Sequence, residues 1–211
     1  VPKEWRNKEK GERIYHSFEP TRRYFGAVDT SGGTGGDEAV LIVVRDDLEV
    51  CAAFSSTTTG AAALAEGPAA RLSSAYGRPP WLVEANNEHG RMFVKRAGEL
   101  GLRLWKDGRG KDWATTGQTK NMVYDWGRHL VDQGFVKLND ERLIQQCMGV
   151  REQEDGSIRC DDGRDNYDDH PMALVLALWN ARRQYTQQHG TERPLTMAQR
   201  KARHNELQGR R

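Results

Sequence analysis

Five carboxylates stand at conspicuous places in this chain. Asp29 closes the apolar run YFGAVD, just before the glycine-rich SGGTGG. Asp37 lies across that turn, at the head of AVLIVVR. Glu84 sits inside WLVEAN, and Asp168 and Asp169 immediately precede HPMALVLALW. A carboxylate in an otherwise apolar strand is costly to bury unless something compensates it. Several that converge repel one another and hold protons more tightly. A divalent cation relieves both problems. Mg²⁺ takes oxygen ligands, keeps several waters and needs only a few carboxylates plus substrate phosphate. Two such ions roughly 3.5–4 Å apart activate a water and stabilise the leaving oxygen of a phosphodiester. Singly, each residue has an ordinary structural use. Asp29 or Asp37 can serve the glycine turn, Glu84 can pair with an Arg or Lys, and Asp168 or Asp169 can cap a helix whose first turn holds Pro171. Their order along the chain carries the chemical reading.

The elements that must position them follow from the hydrophobic pattern. Residues 24–30, 39–45 and 48–55 are short apolar runs joined by tight turns, which predicts an antiparallel meander. The pattern then alternates. Helices are expected at 61–76 (interrupted at Gly67-Pro68), 89–100, 119–133, 140–148 and 171–187, with strands at 81–85, 102–105 and 135–138. Residues 150–160 read as a hairpin turning at Asp155-Gly156. Three meander strands followed by βα alternation predict a mixed α/β sheet with helices on both faces. The strands carrying Asp29 and Glu84 are expected side by side at its centre. Residues 1–22, polar and charged, read as a linker or N-terminal arm, residues 23–190 as the folded domain, and residues 191–211 as a basic tail. From 192 to 211 there are six Lys/Arg and two Glu, which suits either a solvated terminus or an arm that contacts phosphate or a partner.

Composition narrows the class. Apolar residues make up 36% of the 211 and charged residues 29%, with a net charge of only +2. No apolar run reaches the roughly 18 residues of a membrane span. The start at Val1 shows no signal-peptide pattern and reads as a fragment of a longer protein that is not secreted. Cys51, Cys147 and Cys160 have no metal-type spacing and read as reduced thiols of a cytosolic protein.

Taken together, GAVDTSGGTGGDEAVLIVV, LVEANNEHG, TGQTKNMVYDWGRHLVDQGFVKLNDERLIQQC and YDDHPMALVLALW resemble the nuclease domain of large terminase subunits of tailed bacteriophages, over most of residues 24–180. The resemblance implies an RNase H-like fold and a metal-dependent endonuclease that cuts concatemeric double-stranded viral DNA during packaging. It implies Mg²⁺ or Mn²⁺, two ions, as cofactor, and work at the procapsid portal in the host cytoplasm. Asp29, Glu84 and Asp169 would be the catalytic metal ligands, with Asp168 supporting and Asp37 accessory. The expected partners are DNA, an ATPase domain, the portal and the small terminase subunit, with no membrane. No G-x-x-x-x-G-K-[ST] loop occurs, so ATP hydrolysis by that route lies outside this chain.

A polyanionic substrate calls for basic flanks. Lys106, Arg109, Lys111 and Lys120 surround a polar loop, with Trp105 and Trp113 interleaved to stack on bases or to pack back on the domain. Lys120 lies in a segment that resembles one close to the family's active site. Asn86 shares a strand face with Glu84 and is expected to orient it or a water, or to cap the next turn. His170 is expected either to support the site, at metal or phosphate, or simply to cap a helix. By the same analogy, the 153–158 hairpin would gate a DNA groove. Two other readings remain: a junction resolvase or transposase-like nuclease of the same fold, and a non-catalytic module docking a motor to its portal.

Overall fold

The computed structural model describes residues 11–31, 33–34, 37–153, 156, 158–160 and 168–189. Its centre is a five-stranded sheet in the order β1-β4-β3-β2-β5. The meander is formed by β2 (Tyr24–Asp29), β3 (Ala39–Arg45) and β4 (Val50–Ser56), paired antiparallel in sequence. β5 (Trp81–Val83) runs parallel to β2. The expected neighbours are therefore adjacent, but β5 is the outermost strand, not a central one. Among the described residues, only single parallel bridges lie beyond it, Leu104 to Trp81 and Trp113 to Glu84. The expected strands at 102–105 and 135–138 shrink to such bridges, the second joining Lys137 to Glu49. Each run is only four residues long and enters from a left-handed glycine, Gly101 or Gly134, too little chain to extend a ladder.

The segment read as a linker or arm contributes a strand. β1 (Glu12–Ile14) pairs antiparallel with β4, placing Arg13 opposite Ala53. Two of its three residues are charged, so it gave little apolar signal; backbone pairing and ion pairs hold it at the edge.

Both faces of the sheet are covered, which is why β3 is buried along nearly its whole length. On one face Val28, Leu41, Val43 and Val83 pack under the helices of residues 61–99. These are α1 (Ala61–Leu64), a π-helical turn (Ala65–Ala69), α2 (Ala70–Ala75) and α3 (Glu88–Glu99). The wider π turn absorbs Pro68, so the expected break becomes a bulge in a continuous helical stretch. On the other face Ala27, Val40, Ile42 and Leu82 pack under α4 (Gly117–Asp132), α5 (Glu141–Gly149) and α6 (Asp169–His189). The starts of α3, α4 and α5 are capped by Asn87, Thr116 and Asp140, each accepting a backbone N–H three residues on. In α6, Met172 to Leu178 are all buried, the expected apolar helix. β6 (Val150–Glu152) and β7 (Ile158–Cys160) form the expected hairpin, with Gly156 left-handed in its turn. Asp155 and the tail 191–211 lie outside the described residues. Among the described residues, no helix is long and apolar enough to cross a membrane.

Candidate active site

The sheet aligns the first two carboxylates. Gly26, Ala27 and Val28 of β2 pair with Trp81, Leu82 and Val83 of β5, so the next positions in line are Asp29 and Glu84. Side chains alternate along a strand. Asp29 therefore shares the face of Ala27, and Glu84 that of Leu82, the face covered by α4 and α6. Adjacent strands lie about 4.8 Å apart, which sets the spacing of the two carboxylates. Glu84 is fixed further by α3. A side chain at Gly90 would meet the Glu84 carbonyl oxygen at 1.7 Å, so only glycine lets the helix start sit against this strand end. Gly127 does the same between α4 and α6, where a Cβ would meet Val175 at 2.7 Å.

The third element is the first turn of α6. The Asp169 carboxylate accepts a 3.0 Å hydrogen bond from the backbone N–H of Glu38, just before β3. Asp168, one residue ahead of the helix, accepts a 2.8 Å hydrogen bond from Lys120 Nζ of α4. Carboxylates from β2, the end of β5 and the head of α6 thus act on one another. Asp29 is held well above the ordinary carboxylate range, first by burial, then by the charges of Asp169, Glu84 and Asp168; Lys120 pulls it down. Asp169 is pushed up to about 6, first by burial and then by Asp168, Asp37 and Glu38, against the Glu38 N–H that stabilises its anion. Asp37 is exposed and touches this balance only at the Asp169 end.

The donor set suits a divalent cation: hard oxygens that repel one another at neutral pH. A second sign is the Tyr124 hydroxyl on α4. It is buried, with the residue 6% exposed and no hydrogen-bond partner among the described residues, and burial first, then the charges of Asp168 and Asp29, raise its pKa. As placed, no group of three or more His, Cys, Asp or Glu among the described residues is arranged to hold one ion. One contact draws the set apart: Asp168 turns to Lys120.

Other expected site residues fall elsewhere. Asn86 does not orient Glu84. Its side chain clamps the Thr115 backbone, accepting from N–H at 3.0 Å and donating to C=O at 3.1 Å, while Asn87 is the helix cap. His170 lies in the first turn of α6 with both ring nitrogens engaged by side chains. It is fully buried, with Nδ1 3.1 Å from Gln146 Oε1 and Nε2 3.3 Å from Arg13 Nη2. Arginine only donates, so Nε2 is the acceptor and the ring is neutral with its proton on Nδ1. Burial and the charges of Arg13 and Arg142 push its pKa down to about 3. Trp105 and Trp113 pack back on the domain, edge to face at 5.9 Å, and Trp113 also meets Trp179. Asp107 ties the loop between them by accepting the N–H groups of Arg109 and Lys111, whose side chains are exposed. Lys106 pairs with Asp112. Lys120 belongs to the carboxylate cluster, apart from this loop.

The hairpin turn leans on α4, where Asn121 Nδ2 donates to the Gly156 carbonyl at 3.3 Å, one residue from Lys120. A cavity of about 400 Å³ lies between α4, the hairpin and α6.

Sequence reasoning missed Glu38, Arg13, Tyr15, Asp140 and Gln146. Glu38 was legible: it has the strand parity of Val40 and Ile42, which face α6. Its side chain pairs with Arg142 at 2.9 Å. The rest carried no local signal, being polar residues in polar segments.

No protein-family model and no curated protein matches this sequence. Solved structures do. The large terminase nuclease from thermophilic phage G20c, with bound magnesium, superposes with a TM-score of 0.69 at 17% identity, covering 84% of this chain and 89% of that one. The same nuclease with bound zinc gives 0.64 at 14%, over 85% and 91%. The large terminase nuclease domain of Thermus phage P74-26 gives 0.68 at 16% identity, over 93% and 94%. A mixed five-stranded sheet with helices on both faces and this likeness over nearly the whole chain give one architecture: the RNase H-like fold of phage large terminase nuclease domains.

Proposed function

We propose that this chain is a divalent-metal-dependent DNA endonuclease that cuts double-stranded viral DNA during genome packaging. The observation that carries the reading is the convergence of carboxylates from three elements, Asp29 on β2, Glu84 in line with it at the end of β5, and Asp168 and Asp169 at the head of α6; burial first, then the charges of the other three, raise the Asp29 pKa. Asp29, Glu84 and Asp169 would hold the metal, with Asp168 beside them and Asp37 at the margin. Structural relatives solved with magnesium, cobalt and zinc support a divalent ion; Mg²⁺ or Mn²⁺, as a pair, is the proposed cofactor. When bound, such ions supply Lewis acidity toward a phosphodiester and a hydroxide source near neutral pH.

The chain's own residues do the rest. Asp29 and Glu84 present oxygens from a rigid sheet, so substrate phosphate meets a preorganised site. Tyr124 offers a buried hydroxyl beside them. Lys120, once Asp168 turns to a metal, is free to meet a phosphate. Arg109 and Lys111 on the exposed loop would grip the backbone without reading sequence. An ATPase domain, the portal and the small terminase subunit are the proposed partners in the assembly.

The test is cleavage of plasmid, linear and branched DNA in Mn²⁺ by the chain and by Asp29→Asn. The expected result is cutting of plasmid and linear duplex by the wild type, with at least a roughly hundredfold loss in the variant, since removing a proposed metal ligand should cost no less than the roughly 10–100-fold typical of the partners behind one. Uncut DNA of every form points to a docking module, and a strict demand for branches points to a resolvase.

A further inference from the structure

Arg13 comes from the edge strand β1 yet is only 4% exposed, and it joins four parts of the fold. Its Nε donates to Asp140 at the cap of α5 at 2.7 Å, its Nη1 to Ser55 of β4 at 3.0 Å, and its Nη2 to His170 in the first turn of α6 at 3.3 Å. Tyr15 donates to the same Asp140 oxygen. The opposite ring nitrogen of His170 is held by Gln146 of α5, whose Oε1 also lies 3.3 Å from the His170 backbone N–H. His170 is thus gripped on both ring nitrogens and its own amide, and the residue before it is Asp169.

We propose that Arg13 and His170 are positioning residues for Asp169: they lock the first turn of α6 so that the Asp169 carboxylate stays on the Glu38 N–H and faces Asp29. This deepens the nuclease reading and rests on it for the role of Asp169. The geometry supports positioning because the contacts are directional. A planar guanidinium offers a fixed fork, and a neutral ring with one donor and one acceptor fits only one way between Arg13 and Gln146. The Glu38 side chain, paired with Arg142 of α5, steadies the other end of the Asp169 hydrogen bond. Partners behind metal ligands of this kind typically change metal affinity on the order of 10–100-fold when removed.

The experiment uses the whole chain and three variants. Arg13→Lys keeps the charge but loses the fork. Gln146→Met releases His170 from the other side. Tyr15→Phe removes a bond to Asp140 and touches neither residue of α6. Hydrogen exchange of the Glu38 amide, by NMR without metal, and Mn²⁺ affinity by calorimetry are read for each. Arg13→Lys and Gln146→Met should speed Glu38 exchange and weaken Mn²⁺ binding, each on the order of tenfold. Tyr15→Phe should lower Tm while leaving both unchanged. Wild-type Glu38 exchange in Arg13→Lys and Gln146→Met, or equal acceleration in Tyr15→Phe, overturns the proposal. If the wild type and Asp29→Asn bind Mn²⁺ alike, the metal reading fails instead, and the Glu38 amide still judges the positioning role.

Discussion

Asp169 and His170 are neighbours in one helical turn, yet they enter opposite electrostatic situations. Asp169 faces carboxylates: burial first, then Asp168, Asp37 and Glu38, push it up to about 6, and Asp29 is also held well above the ordinary carboxylate range, by burial and then by Asp169, Glu84 and Asp168. His170 faces a completed network in which Asp140 is held below the ordinary carboxylate range by Arg13, Tyr15 and the Leu143 N–H, against its own burial. In one cluster the charges oppose folding; in the other every charge has its partner. A protein keeps repelling carboxylates together when something else is meant to bind them. The satisfied cluster holds them in place.

The largest test of that contrast removes one carboxylate from each side. Asp140→Ala leaves Arg13 charged and buried, and should cost about 3–5 kcal/mol by urea denaturation. Asp29→Asn removes a repelled charge, and should leave metal-free stability unchanged or raise it by about 1 kcal/mol. Equal losses would erase the distinction.

Next in size is the pH dependence. The raised Asp169 value means the folded chain holds that proton more tightly than the unfolded one. The stability this gives is complete below the ordinary carboxylate value and is lost as pH rises through about 6. The depressed His170 value, about 3, works the other way: its stability is present above the ordinary histidine value and lost as pH falls toward 3. The two oppose each other in stability, but not in metal binding, where His170 stays neutral and Asp169 must release its proton. Mn²⁺ affinity should fall by up to about tenfold per pH unit below about 6. A flat profile in calorimetry from about pH 7 to about pH 5 would contradict the assignment.

The smallest test uses one tyrosine from each cluster. Tyr15→Phe loses a hydrogen bond to a charged group and should cost about 1.5–3 kcal/mol at most. Tyr124→Phe removes a hydroxyl with no partner among the described residues and should leave metal-free stability unchanged or raise it by about 1 kcal/mol. Matching losses would show that Tyr124 is satisfied after all.

The two clusters also differ in how far the sequence revealed them. Asp29, Glu84 and Asp169 were legible because each interrupts or borders an apolar run, and a charge is conspicuous there. The meander, the helices α4 and α5 and the buried α6 followed from periodicity. Arg13 and Asp140 were not legible. Charged or polar residues adjoin them, Glu12 beside Arg13 and Asn139 and Glu141 beside Asp140, and they meet across 127 residues of chain, a pairing that only tertiary structure brings about. The same limit turned β1 into an arm and enlarged 102–105 and 135–138 into strands, since local pattern does not say which short run finds a ladder to join. The contacts of His170 and Asn86 were not legible for a related reason. Lying beside a chosen residue in sequence suggested a shared role, whereas the ring of His170 points into the neighbouring network and the amide of Asn86 clamps a loop.

The most direct measurement is anomalous diffraction from crystals soaked in Mn²⁺. The nuclease reading requires a peak between Asp29, Glu84 and Asp169, with Asp168 drawn off Lys120. Strong Mn²⁺ peaks elsewhere, with none among those three side chains and the Lys120–Asp168 pair intact, would contradict it.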